Sequence, residues 1–196
     1  LAGIRRCGKS TIFEMLEEEL LRRGVSADHI ICKRYTEMDI PESITAKQMY
    51  DELTAAMAGK GHCYLLLDEI QEITGWEKAV NSLLESADAD IYVTGSNSKL
   101  MSSEISTYLT GRYVSIPVYT LSFKEYLDFK ADSTLSRREL LEEYIRFGGF
   151  PIIALSEYDE QSAYQIVNGI YHTVVSRDIV KRHRINKQDL FDRVVK

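Results

Sequence analysis

As far as Tyr119, short apolar runs alternate with amphipathic segments. Ile12, Leu16 and Leu20 recur at helical spacing, and Gly24 follows as a C-cap. His29 to Tyr35 reads as a strand. Ser43 or Thr45 caps a helix carrying Met49, Leu53 and Met57, closed by Gly59 and Gly61. Tyr64 to Leu67 is a continuous apolar run, the pattern of a parallel strand buried on both faces. Trp76, Val80 and Leu83 mark another helix and Asp90 to Thr94 another strand. Lys99 to Leu109 reads as a helix, and Tyr113 to Tyr119 alternates as a strand. Strands separated by helices of this length predict a three-layer α/β fold, with a parallel central sheet between helices.

Beyond Tyr119 the strands stop. Ser122 with Glu125, and Ser136 with Glu139, have the capping-box spacing that opens a helix. Gly148, Gly149 and Pro151 stop the second of these helices, a long helical stretch follows from about Glu157 to His183, and a short one starts at Lys187. The predicted organisation is an α/β body over residues 1–121 and an all-α lid, with the start of a C-terminal domain, over 122–196. Leu1 and Ala2 read as the tail of an apolar strand, and Lys196 falls within a helical pattern. The natural chain is therefore expected to extend in both directions.

The strongest chemical signal lies at the start. Gly3-Ile4-Arg5-Arg6-Cys7-Gly8-Lys9-Ser10 satisfies the phosphate-loop pattern GxxxxGK[ST], and Thr11 follows it. The glycines permit backbone conformations in which successive N–H groups converge on phosphate oxygens. Lys9 is placed for the β- and γ-phosphates and the Ser10 hydroxyl for Mg²⁺, while the following helix turns its positive end to the same anion. Cys7 reads first as a small residue tolerated in the loop; beside Lys9, Arg5 and a helix N-terminus its pKa should fall, so an activated thiol protected by bound nucleotide is the alternative. Further on, Leu65-Leu66-Leu67-Asp68-Glu69 ends the buried strand. A carboxylate at the C-terminal end of a parallel strand sits where α/β sheets bind ligands. Asp68 is the expected Mg²⁺ ligand and Glu69 the expected general base for a lytic water.

GIRRCGKST, LLLDEIQ with Trp76 close behind, TGSNSKL, LTGRY, LSFKEY and GGFP, in that order, resemble prokaryotic predicted ATPases of the AAA+ superfamily, relatives of the origin-recognition and signalling ATPases. The resemblance spans roughly residues 1–185. It implies a P-loop NTPase (AAA+-like) body, ATP and Mg²⁺ as ligands, and ATP hydrolysis used as a switch. It also implies a sensor role for Asn97, with Ser96 and Ser98 as alternatives. Arg112 is implied as an arginine finger reaching a neighbouring subunit, against an ordinary reading as a helix C-terminal arginine. Arg146, Arg177 and Arg182 all qualify as the lid arginine.

Composition narrows the partners. The chain of 196 residues carries a net charge of −6, yet segment 177–196 has seven Lys and Arg against three Asp. The acidic body excludes general nucleic-acid binding and leaves only the basic end as a contact for nucleic acid or a protein client, unless it is simply a solvated helix face. Three cysteines without a CxxC pair exclude a disulfide framework. No apolar run approaches the ~20 residues of a membrane span, and no signal peptide is visible. A soluble, cytoplasmic protein is expected. His62 and Cys63, being adjacent, point to opposite faces of a strand and do not chelate together. Asn186-Lys187-Gln188-Asp189 matches the guanine-reading pattern NKxD but follows a basic segment rather than a buried strand, so adenine is the expected base. Three functions compete: hydrolysis of ATP, a nucleotide-gated nucleic-acid or protein-binding module with little turnover, and phosphoryl transfer to a small molecule. The Asp-Glu pair favours water as the acceptor.

Overall fold

The computed structural model describes residues 1–36, 44–96, 109 and 111–174. They form two compact units: Leu1–Gly3 with Gly8–Val118, and Ile4–Cys7 with Tyr119 onward.

In the first unit the strands are β1 (Ala2–Gly3), β2 (Ile30–Arg34), β3 (Cys63–Asp68), β4 (Ala89–Val93), β5 (Gly95–Ser96) and β6 (Pro117–Val118). Among the described residues all pairings are parallel. β3 lies between β2 and β4, with Ile31 opposite Leu65 and Leu67 opposite Val93. β1 lies between β5 and β6, with Ala2 opposite both Gly95 and Pro117. Thr94 is the single residue between β4 and β5, so the run 89–96 separates β1 from β3.

Helices α1 (Lys9–Arg22), α2 (Ala46–Met57) and α3 (Trp76–Ser86) cover the two faces. Successive strand residues point to opposite sides, and β3 shows it. Leu65 and Leu67 pack with Met49 and Leu53 of α2 and with Trp76, Val80 and Leu83 of α3. Leu66 packs with Phe13 and Leu20 of α1. With both faces covered, Leu65, Leu66 and Leu67 are each at most 1% exposed, which accounts for the uninterrupted apolar run. On α1 the buried apolar positions are Phe13 and Leu20, while Ile12 and Leu16 are only half-buried. The helix closes with a Schellman pair, Val25 N–H to Leu20 O and Gly24 N–H to Leu21 O. Of the two candidate caps for α2, Thr45 holds the position, in a capping box with Gln48.

Of the expected strand 113–119, Pro117–Val118 is present as β6, paired with Ala2–Gly3 of β1. Val114 and Ile116 stand exposed. The expected helix 99–109 lies outside the described residues, save Leu109, which is buried in the α2–α3 core.

The second unit is helical: α4 (Phe123–Phe129), α5 (Arg137–Phe147), α6 (Pro151–Leu155) and α7 (Glu160–Thr173). Both capping boxes form, Ser122 with Glu125 and Ser136 with Glu139. Pro151 does not merely stop a helix. It occupies the first turn of α6, where its missing N–H costs nothing. Tyr126 is fully buried against Leu140 and Ala154 and donates to Glu143 Oε1 at 2.8 Å, and burial raises its phenol pKa above the ordinary value. Gly149 is a point of close backbone approach. A Cβ there would stand 2.0 Å from Leu121 O, while Leu121 N–H donates to Gly149 O at 2.7 Å. Of the expected helix 157–183, Glu160–Thr173 is present as α7, and residues from 175 onward lie outside the described residues.

Candidate functional site

The glycine-rich segment occupies the turn from β1 into α1. Gly8 is the N-cap of α1, with φ of 99°, a conformation open to glycine but strained for a side chain. Glycine supplies no capping oxygen, and the first turn of α1 holds no acidic residue. The initial N–H groups and the positive helix end therefore meet no capping side chain or acid of their own helix, the condition under which a helix N-terminus takes an anion. Arg6, within the turn, has φ of 63°.

Lys9 begins α1 and is only 4% exposed. Its ammonium donates to Gly3 O at 3.1 Å and stands 4.0 Å from Glu69 Oε1. A buried ammonium needs acceptors and counter-charge to offset desolvation, and the Gly3 carbonyl and the Glu69 carboxylate meet that need. The lysine of the glycine loop and the acid after β3 are thus neighbours, although far apart in sequence.

Asp68 is the last residue of β3 and is 5% exposed. One carboxylate oxygen accepts from the Thr94 hydroxyl. Glu69 follows in the left-handed region, with φ of 53°. Among the described residues, Arg6 and Glu69 are the two non-glycine residues with positive φ. Such strain costs about 1–3 kcal/mol per residue and concentrates at functional sites. One sits in the glycine segment and the other in the acidic pair. The Glu69 backbone N–H donates to Thr94 Oγ1 at 3.0 Å, and Gln71 Nε2 donates to Glu69 Oε2.

The donor set suits a hard, oxygen-seeking dication. Asp68 supplies a buried carboxylate and Ser10 a hydroxyl on α1. Among the described residues no group of three or more His, Cys, Asp or Glu side chains converges on a metal position. One or two protein oxygens completed by phosphate and water is the usual Mg²⁺ arrangement.

The other sequence candidates fall as follows. Asn97 and Ser98 lie outside the described residues, as does the basic segment 177–196 with Arg177 and Arg182. Ser96 pairs with Gly3 through its backbone. Thr11 is exposed on α1, and Ile4 is 37% exposed. Cys7 is 4% exposed, which fits a small residue accommodated in the loop and not the alternative of an accessible, reactive thiol. Arg112 is half exposed, donating to Glu85 Oε1 at 2.9 Å and Asn81 Oδ1 at 3.0 Å, both on α3. Arg146 of α5 pairs with Glu160 of α7. Thr94 and Gln71 were not anticipated. A threonine at a strand end carries no signal beyond β propensity.

The model of the family described as "AAA domain" matches residues 1–127. An uncharacterized protein of Haemophilus influenzae is 34% identical over 200 residues, covering 100% of this chain and 49% of its own length. An uncharacterized protein of Methanocaldococcus jannaschii is 36% identical over 192 residues, covering 93% of this chain and 42% of its own. The chain thus spans about half the length, or less, of the curated relatives it matches. Among the described residues no helix is long and apolar enough to cross a membrane. With the family match extending from the first residue through the glycine segment, the acidic pair and the parallel sheet, the chain belongs to the AAA-domain family of P-loop ATPases.

Proposed function

We propose that this chain binds Mg-ATP at the β1–α1 turn and hydrolyses it, with turnover slow enough to serve as a switch. The observation that carries the reading is the 4.0 Å approach of Lys9 Nζ to Glu69 Oε1. It joins the cationic and the basic functions that phosphoanhydride hydrolysis needs.

In this reading Gly3, Ile4, Arg5, Arg6, Cys7, Gly8 and Lys9 wrap the phosphate tail, chiefly through backbone N–H groups, and Ser10 and Thr11 close the site from α1. On binding, Lys9 exchanges the Gly3 carbonyl for phosphate oxygens and stabilises charge that grows as the bond to the γ-phosphorus breaks. Asp68 and Ser10 hold Mg²⁺, which when bound shields the phosphate oxygens. Glu69 takes the proton of the attacking water, and the Gln71 amide keeps one oxygen of that carboxylate oriented. The oxygen of the attacking water ends on the γ-phosphorus, giving ADP and inorganic phosphate.

Arg112 is kept as the finger candidate. Its guanidinium is half exposed and its partner Glu85 is exposed as well. A surface pair of this kind contributes ~0–1 kcal/mol, so little opposes exchange for a neighbouring subunit's phosphate. That role requires a homo-oligomer and turnover per chain that rises with protein concentration. Asn97 is proposed as the sensor from the family resemblance, and 177–196 as the contact for a nucleic-acid or protein client. A cytoplasmic location fits this chemistry.

The test is nucleotide turnover by wild type and Glu69→Gln. The amide keeps the shape of the site but cannot take a proton. Binding should persist and turnover fall by roughly 10²-fold or more, the range of general-base catalysis. Wild-type turnover in Glu69→Gln would remove Glu69 as the base. Binding without measurable turnover in the wild type would favour the nucleotide-gated module instead.

A further inference from the structure

Thr94 is fully buried, at 0% exposure, between β4 and β5. A buried hydroxyl is costly unless it is hydrogen-bonded, and this one is used twice. It donates to Asp68 Oδ1 and accepts from the Glu69 N–H at 3.0 Å. The Thr94 backbone completes the arrangement: its carbonyl accepts from Ile70 N–H at 3.2 Å, and its N–H donates to Leu67 O at 3.0 Å. Four consecutive residues, Leu67 to Ile70, are therefore tied to the one residue that joins β4 to β5. Regular pairing with β4 stops at the first of them, Leu67 opposite Val93, and Glu69 turns into the left-handed region. An unsupported backbone would relax away from that conformation.

The geometry points to Thr94 as a positioning residue for the acidic pair. Its hydroxyl fixes which Asp68 oxygen stays available to a cation and holds the Glu69 backbone in the strained turn that sends the carboxylate toward Lys9. The role differs from that of a sensor, because Thr94 is enclosed and acts only through Asp68 and Glu69. The position also couples two parts of the sheet. Gly95, the next residue, pairs with Ala2 of the strand that enters the glycine segment. One residue thus fixes the acidic pair relative to the start of the loop. The inference rests on the proposed Mg-nucleotide site.

The test compares Thr94→Val, which keeps the shape and removes the hydroxyl, with Thr94→Ser, which keeps the hydroxyl. Both are made in the full chain with ATP and Mg²⁺ as the probes. Thr94→Val should lower kcat roughly 10–100-fold and raise the Mg²⁺ half-saturation by about as much, as loss of a ligand-orienting partner does, with the ATP KM within about threefold of wild type. Thr94→Ser should lie within about threefold of wild type in all three quantities. If Thr94→Val does not fold, Thr94→Ala is compared with Thr94→Ser under the same expectation. Wild-type kcat and Mg²⁺ dependence in Thr94→Val would overturn this inference while leaving the ATPase reading intact. So would a Thr94→Ser variant as impaired as Thr94→Val, since the hydroxyl would then not be the cause. Failure of the wild type to bind Mg-ATP would overturn the ATPase reading and the positioning role with it.

Discussion

The contact between Lys9 and Glu69 can be measured without any nucleotide, through a double-mutant cycle of Lys9→Met, Glu69→Gln and the double variant. Two unit charges at the observed 4.0 Å attract by about 1 kcal/mol in bulk water and about 4 kcal/mol at an effective dielectric constant near 20. The side chains are 4% and 14% exposed, which moves the pair away from the bulk-water limit. Each group also keeps a partner when the other is removed: Lys9 retains Gly3 O and Glu69 retains Gln71. Those retained bonds reduce the penalty of each single change, so the expected coupling is ~1–2 kcal/mol. The double variant should be less destabilised than the sum of the two singles by that amount. The assay is urea unfolding followed by the fluorescence of Trp76. It is the single tryptophan of the chain, and it is buried in the core that also holds Leu65 and Leu67. With a urea m-value near ~2 kcal/mol/M, the coupling corresponds to a midpoint difference of ~0.5–1 M. A coupling within about 0.3 kcal/mol of zero would mean that the two charges do not sense each other, and the argument from their proximity would fail.

Two further expectations concern the scaffold. Gly149→Ala places a Cβ 2.0 Å from Leu121 O and displaces the strand of backbone bonded to it at 2.7 Å, so the helical unit should lose ~2–4 kcal/mol by circular-dichroism melting; an unchanged melting temperature would contradict the close approach. The hydrogen bond from His62 Nδ1 to Asp88 at 2.7 Å raises the imidazole pKa above its ordinary value. Because the folded-state value is the higher one, the associated stabilisation is fully present below about pH 6.5 and lost as pH rises through the folded value. NMR titration should show the His62 midpoint above that of an unstructured histidine, and Asp88→Asn should bring it down.

Much of the architecture was legible because burial leaves a direct imprint on sequence. The unbroken run Tyr64–Leu67 implies covered faces on both sides, and α1, α2 and α3 supply them. The hydroxyl–carboxylate spacing at Ser122 and Ser136 encodes a local bond geometry and was realised in both places. The glycine-lysine segment and the Asp-Glu pair were visible as chemistry, since few other roles require those residues at those positions.

What escaped was set by non-local partners. The partner of β6 is β1, at the opposite end of the first unit's sequence, and nothing in Tyr113–Tyr119 reports which of its residues pair. Phe13 rather than Ile12 faces the sheet, because the rotation of α1 is fixed by where Gly8 starts the helix. Pro151 reads equally as a stop and as a first-turn residue, and only the packing of Ile153 and Ala154 decides. Thr94 looks like any β-branched residue at the end of a strand, and its role appears only when Asp68 is placed beside it. Cys7 illustrates the converse: its neighbours in sequence suggest an activated thiol, while the fold buries it.

The claim beneath all of this is that the β1–α1 turn holds a triphosphate and that Lys9 is its cationic anchor. Equilibrium titration of Mg-ATP against wild type and Lys9→Ala, with melting curves recorded in parallel, tests it most directly. Wild type should bind saturably, with a thermal shift equivalent to about 2.7 kcal/mol at a ligand concentration near 100 times Kd. Lys9→Ala should remain folded and show neither effect. Equal affinity of a folded Lys9→Ala and the wild type for Mg-ATP would contradict it.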